Sequence, residues 1–179
     1  TLARSRTHLK PTDRVLEVGC GTGSTALLLA RHVDRIVASD ISSGMIAIAR
    51  RKQAAEGVSN IDFKVATAHA LDEDAGAFDA ALAYNFLHLV EDVEAELRRI
   101  RDLLKPGGVF ISKSACVREM SPVLRLALPV MRAVGVAPYV RLFNGDELGA
   151  MIESAGFRIV ERDRIPASKP NLFVVAQKS

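Results

Sequence analysis

Apolar positions along the chain fall into two recurring periods. Val15 to Val18 is a short apolar run interrupted only by Glu17, Arg35 to Asp40 and Phe78 to Tyr84 repeat the form, and Ile61 to Ala66 makes a further strand. Runs of four to eight residues bounded by turn signals read as strands. Between them the spacing lengthens to that of a helix: Ser24 to His32 carries Ala26-Leu-Leu-Leu-Ala30, Ser43 to Glu56 carries Met45, Ile46 and Ile48, and Val93 to Leu104 follows. Ser42 is placed to cap the second of these and Gly57 to end it. Lys105-Pro-Gly-Gly108 turns the chain into a fifth strand, Val109 to Ser114. Beyond it, Asp146 to Ala155 reads as a short helix closed by Gly156, and Phe157 to Asp163 and Leu172 to Gln177 as two strands across a Pro-containing turn.

Strands alternating with helices predict an α/β fold with a parallel sheet. The two closing strands predict an antiparallel hairpin at its edge. The expectation is therefore a Rossmann-like seven-stranded sheet, six strands parallel and one antiparallel at the edge, with helices on both faces. Right-handed crossovers would bring the C-terminal strand ends to one edge, where ligands bind. Residues 1 to 13, with Arg4, Arg6, His8 and Lys10, read as a solvated leader turning into the first strand at Pro11-Thr12-Asp13.

Composition narrows this only slightly. The 179 residues fit a single domain, 1 to 179, and 49% hydrophobic with 25% charged residues excludes a wholly disordered chain. A formal charge of +3 does not by itself imply nucleic acid, and 5% aromatic residues offer no base-stacking platform. Cys20 and Cys116 lie far apart with no metal-ligand spacing, which favours structural thiols in a reducing, cytoplasmic setting and no metal site. No charge-free apolar run is long enough to span a membrane, and the first twenty residues lack a signal peptide's apolar region.

The candidate chemistry lies in VLEVGCGTG, Val15 to Gly23. A dinucleotide fingerprint needs a glycine at the sixth position from Gly19, where Ser24 stands, and a triphosphate loop needs a Gly-Lys pair that is missing. What remains is an acid, Glu17, ahead of three glycines two apart, Gly19, Gly21 and Gly23. A second acid, Asp40, ends strand two, 17 residues after Gly23. A carboxylate beside adjacent hydroxyls can accept two charge-assisted hydrogen bonds, and side chains at 19 and 21 would obstruct close backbone contact.

This pattern resembles the class I S-adenosylmethionine-dependent methyltransferases, in detail over Val15 to Ser114. The resemblance implies S-adenosylmethionine as cofactor and in-line methyl transfer that releases S-adenosylhomocysteine. Glu17 would hold the methionine amino group, usually through water, and Asp40 the ribose hydroxyls. Ile41 and Met45 would pack on the adenine. Thr67, followed by Ala68, stands where relatives carry an adenine-binding acid and offers a weaker neutral acceptor. Tyr84 and Asn85 would lie at the cofactor edge. His88 would point toward the same mouth if a helix begins near Asn85, where a neutral imidazole could orient or deprotonate an acceptor hydroxyl. Leu103 to Ile111 matches the family's turn before strand five.

Residues 115 to 145 occupy the place of a substrate-side insertion or lid. Arg118, Arg125, Arg132 and Arg141 against Glu119 offer either a site for an acidic or amphipathic substrate or a solvated helix whose arginines snorkel outward. YNFL, Tyr84 to Leu87, lacks the Pro-Pro-aromatic motif of amino-methyltransferases of DNA, and neither cysteine sits in a pyrimidine-methylating context. A small-molecule acceptor is favoured; an RNA or protein methyltransferase and a non-catalytic cofactor-binding module stay open.

Overall fold

The structure, a computed structural model, describes residues 1–119, 139–167 and 170–179. Seven strands form one sheet: β1 (Arg14–Val18), β2 (Arg35–Asp40), β3 (Ile61–Val65), β4 (Phe78–Tyr84), β5 (Leu104–Ala115), β6 (Phe157–Arg164) and β7 (Asn171–Lys178). Their spatial order is β3-β2-β1-β4-β5-β7-β6. β1 to β5 pair in parallel, whereas β7 runs antiparallel to both β5 and β6. The sheet therefore has six parallel strands and one antiparallel, and the closing hairpin forms its edge as the sequence predicts. Chain order reverses beside β1, so its C-terminal end opens at the crevice where open α/β sheets bind ligands.

Both faces are covered because every central strand is apolar on both sides. Leu16, Val18, Ala81, Ala83 and Phe110 share one core with Val93, Leu97, Ile100 and Leu103 of helix α4 (Val93–Leu103). Leu148 and Ile152 of helix α5 (Gly145–Ser154) join the same core. Val15, Ile36, Ala80, Leu82 and Ile111 face the other way. There they meet Ala26, Leu27 and Leu29 of helix α2 (Ser24–Leu29), and Ile46 and Ala49 of helix α3 (Ser43–Glu56). Burying each of the Val, Leu, Ile and Phe side chains among these contributes about 1.5–3 kcal/mol.

The helix ends follow local chemistry. The Ser42 hydroxyl accepts from Met45 N–H at the start of α3, and Gly57 closes it in the left-handed region. Asp92 caps α4, and Asn144 with Glu147 forms a full capping box on α5. The predicted helix over 24 to 32 ends at Leu29 and tightens into a 3-10 turn, Ala30–His32.

The N-terminal stretch corrects the expectation of a solvated leader. Leu2–Arg6 is a short helix, α1, with Ser5 fully buried. Tyr84 Oη donates to the Ser5 hydroxyl at 2.5 Å, and the Arg4 guanidinium lies 5.5 Å over the Phe173 ring. Arg4 also pairs with Asp163 and Glu161, and His8 Nε2 meets Glu161 at 2.9 Å. A charged segment can pack here because β6 supplies the opposite charges, which a sequence scan of residues 1 to 13 cannot see.

Candidate active site

The loop after β1 departs from ordinary turns in that Gly19, Gly21 and Gly23 all have positive φ, at 66°, 54° and 72°. Their reasons for being glycine differ. A Cβ on Gly19 would overlap the Phe86 ring, and one on Gly23 would come within 2.5 Å of Phe63 Cζ and 2.9 Å of Ala49 Cβ. A Cβ on Gly21 would meet nothing within 4 Å. Gly19 and Gly23 thus serve internal packing, and Gly21 is the position whose bare backbone borders open space.

Glu17, the penultimate residue of β1, turns its carboxyl toward the first turn of α2 and is only 3% exposed. Its carboxyl accepts from the Thr25 side chain and the Ala26 N–H, while Oε2 is buried without a partner. Burial pushes its pKa up to about 8. A buried acid with an unpartnered oxygen near an open backbone marks a candidate ligand site.

Asp40, at the neighbouring strand end, is held by two backbone donors. Its Oδ2 accepts from Gly21 N–H at 2.9 Å and its Oδ1 from Ser42 N–H at 2.9 Å. Each oxygen retains a lone pair, so the carboxylate is oriented yet still able to accept. Beside it an apolar wall stands open to solvent: Ile41 is 75% exposed and Met45 43%. Val65, 51% exposed and directly opposite Asp40 in the β2–β3 register, extends that wall. Exposed aliphatic side chains beside a fixed carboxylate suit a flat apolar ring joined to hydroxyls.

The other expected residues divide. The Thr67 hydroxyl accepts from Ala70 N–H at 3.2 Å, capping the 3-10 turn Ala68–Ala70, and the Ala68 side chain is buried in the core. Tyr84 lies at the end of β4, but its phenol is engaged by Ser5, and burial raises its pKa. Asn85 is exposed and, among the described residues, alone outside glycine in having positive φ, at 52°. Its N–H donates to Lys113 O at 2.7 Å. Left-handed backbone at a non-glycine costs about 1–2 kcal/mol, a strain common at functional edges.

No helix begins at Asn85; His88 lies instead in a 3-10 turn, Leu87–Leu89. Its Nδ1 is buried without a partner and burial lowers its pKa, so the imidazole is neutral near pH 7. Both thiols are buried; burial raises Cys20, and lifts Cys116 to about 11, which leaves both protonated and weakly nucleophilic.

Of the expected arginine cluster, Arg118 pairs with Glu147. Arg141 donates to Glu91 O at 2.8 Å and to Glu94 at 3.1 Å, and its own N–H bonds His88 O at 2.8 Å. These two arginines pin the chain rather than present free charge. Arg125 and Arg132 lie outside the described residues.

A cavity of about 230 Å³, lined by Asp13, Asp79 and Lys105, lies at the opposite strand ends. Its Lys105–Asp79 pair at 2.6 Å closes on itself, so the chemistry stays at the glycine edge.

Phe86, Val65 and Lys52, whose Nζ reaches Thr22 and Ser24, are contributors that the sequence reading passes over. An aromatic two residues beyond Tyr84 and an apolar residue at the end of β3 were the available signals.

Comparison with known proteins identifies the family. Residues 15–108 match the family model described as a methyltransferase domain. A ubiquinone biosynthesis O-methyltransferase from Chelativorans sp. (strain BNC1) is 32% identical over 157 residues, covering 84% of this chain and 60% of that protein. A demethylmenaquinone methyltransferase from Symbiobacterium thermophilum is 33% identical, covering 89% of this chain and 73% of that protein. The chain spans about 60% of the length of the first of these relatives. A solved SAM-dependent methyltransferase from Methanosarcina mazei superposes with a TM-score of 0.81 at 20% identity, covering 98% of this chain and 96% of that one. The [4+2]-cyclase SpnF superposes at 0.80 with 23% identity, covering 99% of this chain and 78% of that one, so the fold alone does not dictate the reaction. With the match running from β1 into the first residues of β5, this chain belongs to the methyltransferase-domain family.

Proposed function

We propose that this domain binds S-adenosylmethionine along the Glu17–Gly21–Asp40 edge and methylates a small-molecule acceptor. The observation that carries the reading is the buried Glu17 carboxyl, with Oε2 unpartnered, beneath a glycine whose missing Cβ leaves the backbone open. Glu17 would receive the amino group of the cofactor, Asp40 the ribose hydroxyls, and Ile41, Met45 and Val65 the adenine. Thr67 and the backbone of Ala68 would border the adenine edge, with Asn85 near the methionine end. When bound, the cofactor supplies an activated methyl group to an in-line nucleophile, so the chain has mainly to position the acceptor, exclude water and take up one proton.

His88 is the group we assign to that proton. It is neutral, it lies past the end of β4, and its ring is only partly buried. Residues 115 to 145 are read as the substrate-side insertion: β5 ends at Ala115 on the ligand edge, and Arg141 returns the chain to His88 O. The relatives' names refer to ubiquinone biosynthesis and to demethylmenaquinone, and Leu89, 45% exposed beside His88, favours an acceptor with apolar surface. We therefore place the acceptor among apolar, quinone-type small molecules. The two free thiols fit the cytoplasmic setting in which we place the protein.

Calorimetry with S-adenosylmethionine and S-adenosylhomocysteine on the wild type and Asp40→Ala tests the cofactor. Both ligands should bind the wild type and lose at least tenfold in Asp40→Ala, roughly the value of one charge-assisted hydrogen bond. Absence of wild-type binding would overturn the reading. A labelled-methyl transfer screen over hydroxylated quinone-type compounds, other metabolites and RNA then identifies the acceptor class.

A further inference from the structure

Helix α3 has little apolar surface to hold it, since Ile46 and Ala49 are its buried residues. Polar side chains do much of the fastening. Arg50 Nη2 donates to Phe63 O at 2.6 Å and Gln53 Nε2 to Ile61 O at 2.7 Å, both toward β3. Lys52 reaches the other way. Its Nζ donates to Thr22 O at 3.2 Å, Thr22 Oγ1 at 3.0 Å and Ser24 Oγ at 2.9 Å. An ammonium has three protons, and here all three meet the glycine turn.

The place is unusual for a lysine. Ser24 opens α2, whose N-terminal end favours negative charge, so the ammonium gains nothing from the helix dipole. What it does reach is the glycine-rich turn, where three glycines with positive φ fall within five residues and the backbone is least restrained by its own side chains. On the other flank Asp40 takes the Gly21 N–H, and Phe63 and Ala49 pack under Gly23. The turn is thus tied to the β2–α3 unit on both sides, and that unit also carries Ile41 and Met45.

We infer that Lys52 is a positioning residue that locks the Gly21–Ser24 turn to helix α3, joining the open backbone and the Asp40–Ile41–Met45 wall into one preassembled surface for S-adenosylmethionine. The role in binding rests on the cofactor reading above; the lock itself does not. If the turn is competent only a tenth of the time without Lys52, apparent affinity falls about tenfold with no contact to the ligand removed.

Lys52→Met keeps the aliphatic stem and deletes the donors, and Lys52→Arg restores a charged donor. Two measurements on the full chain separate the possibilities. In the absence of ligand, exchange of the Gly21 and Gly23 amides, which bond Asp40 and Cys20 O, should quicken about tenfold in Lys52→Met, while those of Leu82 and Ile111 in the sheet should not change. By calorimetry, S-adenosylmethionine and S-adenosylhomocysteine should both weaken about tenfold in Lys52→Met and recover in part in Lys52→Arg. Exchange at Gly21 and Gly23 within twofold of wild type overturns the lock. A loosened turn with affinity within twofold overturns its role in binding. If the wild type binds neither compound, the cofactor reading fails and exchange alone decides the lock.

Discussion

Glu17→Gln is the sharpest test of the site because it separates function from stability in opposite directions. The carboxyl is ordinarily titrated near 4.5, and burial in the fold raises it to about 8. Between those values the folded chain holds a proton that the unfolded chain has released, so this group's contribution is fully present below the unfolded value. It is lost progressively as pH rises toward the folded value. At about 1.4 kcal/mol per pH unit, the loss is on the order of 3 kcal/mol at pH 7 and on the order of 5 kcal/mol once pH passes 8. Glutamine matches the neutral acid in shape, keeps an acceptor for Thr25 and Ala26, and does not titrate.

Urea unfolding of both proteins at pH 5, 6, 7 and 8 reads the difference directly, since all other titrating groups are shared and cancel. The variant should match the wild type near pH 5 and exceed it by a few kcal/mol at pH 8. Its affinity for S-adenosylmethionine should fall meanwhile, as a buried acceptor of charge is lost. Stability curves that stay parallel within about 0.5 kcal/mol across this range would falsify the assignment of Glu17 as a buried, proton-holding acid.

Gly21→Ala should cost about 1–2 kcal/mol of stability in denaturant unfolding, from its left-handed backbone, yet sharply reduce cofactor affinity by calorimetry. Gly23→Ala, which drives a methyl into Phe63 and Ala49, should cost more stability than Gly21→Ala, by about 1–3 kcal/mol in denaturant unfolding. Ser112 and Ser114 are fully buried with unpartnered hydroxyls, so alanine at either should be neutral or stabilising by about 1 kcal/mol; a loss beyond that would reveal a missed partner. Tyr84→Phe removes the bond to Ser5 and should cost about 1 kcal/mol while leaving cofactor affinity unchanged; weakened binding would return Tyr84 to the cofactor edge. His88→Gln should abolish the acid limb of the rate profile, which in the wild type falls below the ordinary imidazole range, and leave calorimetric cofactor affinity intact.

Much of the fold could be read from the chain because its signals are local. The strand bounds of Arg35–Asp40 and Phe78–Tyr84 and the helix Ser43–Glu56 need only apolar period, a capping serine and a closing glycine, all set by neighbouring residues. The positions of Glu17 and Asp40 were equally plain, since one interrupts an apolar strand just ahead of the glycines and the other ends one. Contacts between distant segments decided the rest. Nothing near Gly19 or Gly23 in sequence announces Phe86 or Phe63, so only folding distinguishes the glycines that yield to packing from Gly21, which faces open space. The N-terminal residues look solvated until β6 brings Glu161 and Asp163 beneath Arg4 and His8. Likewise, Arg118 and Arg141 look like free charge until their carboxylates arrive from α5 and α4. Strand identity is a property of a few adjacent residues, but the order β5-β7-β6 is not. Neither is the raised proton affinity of Glu17, because desolvation exists only once the sheet and α2 have closed over the carboxyl.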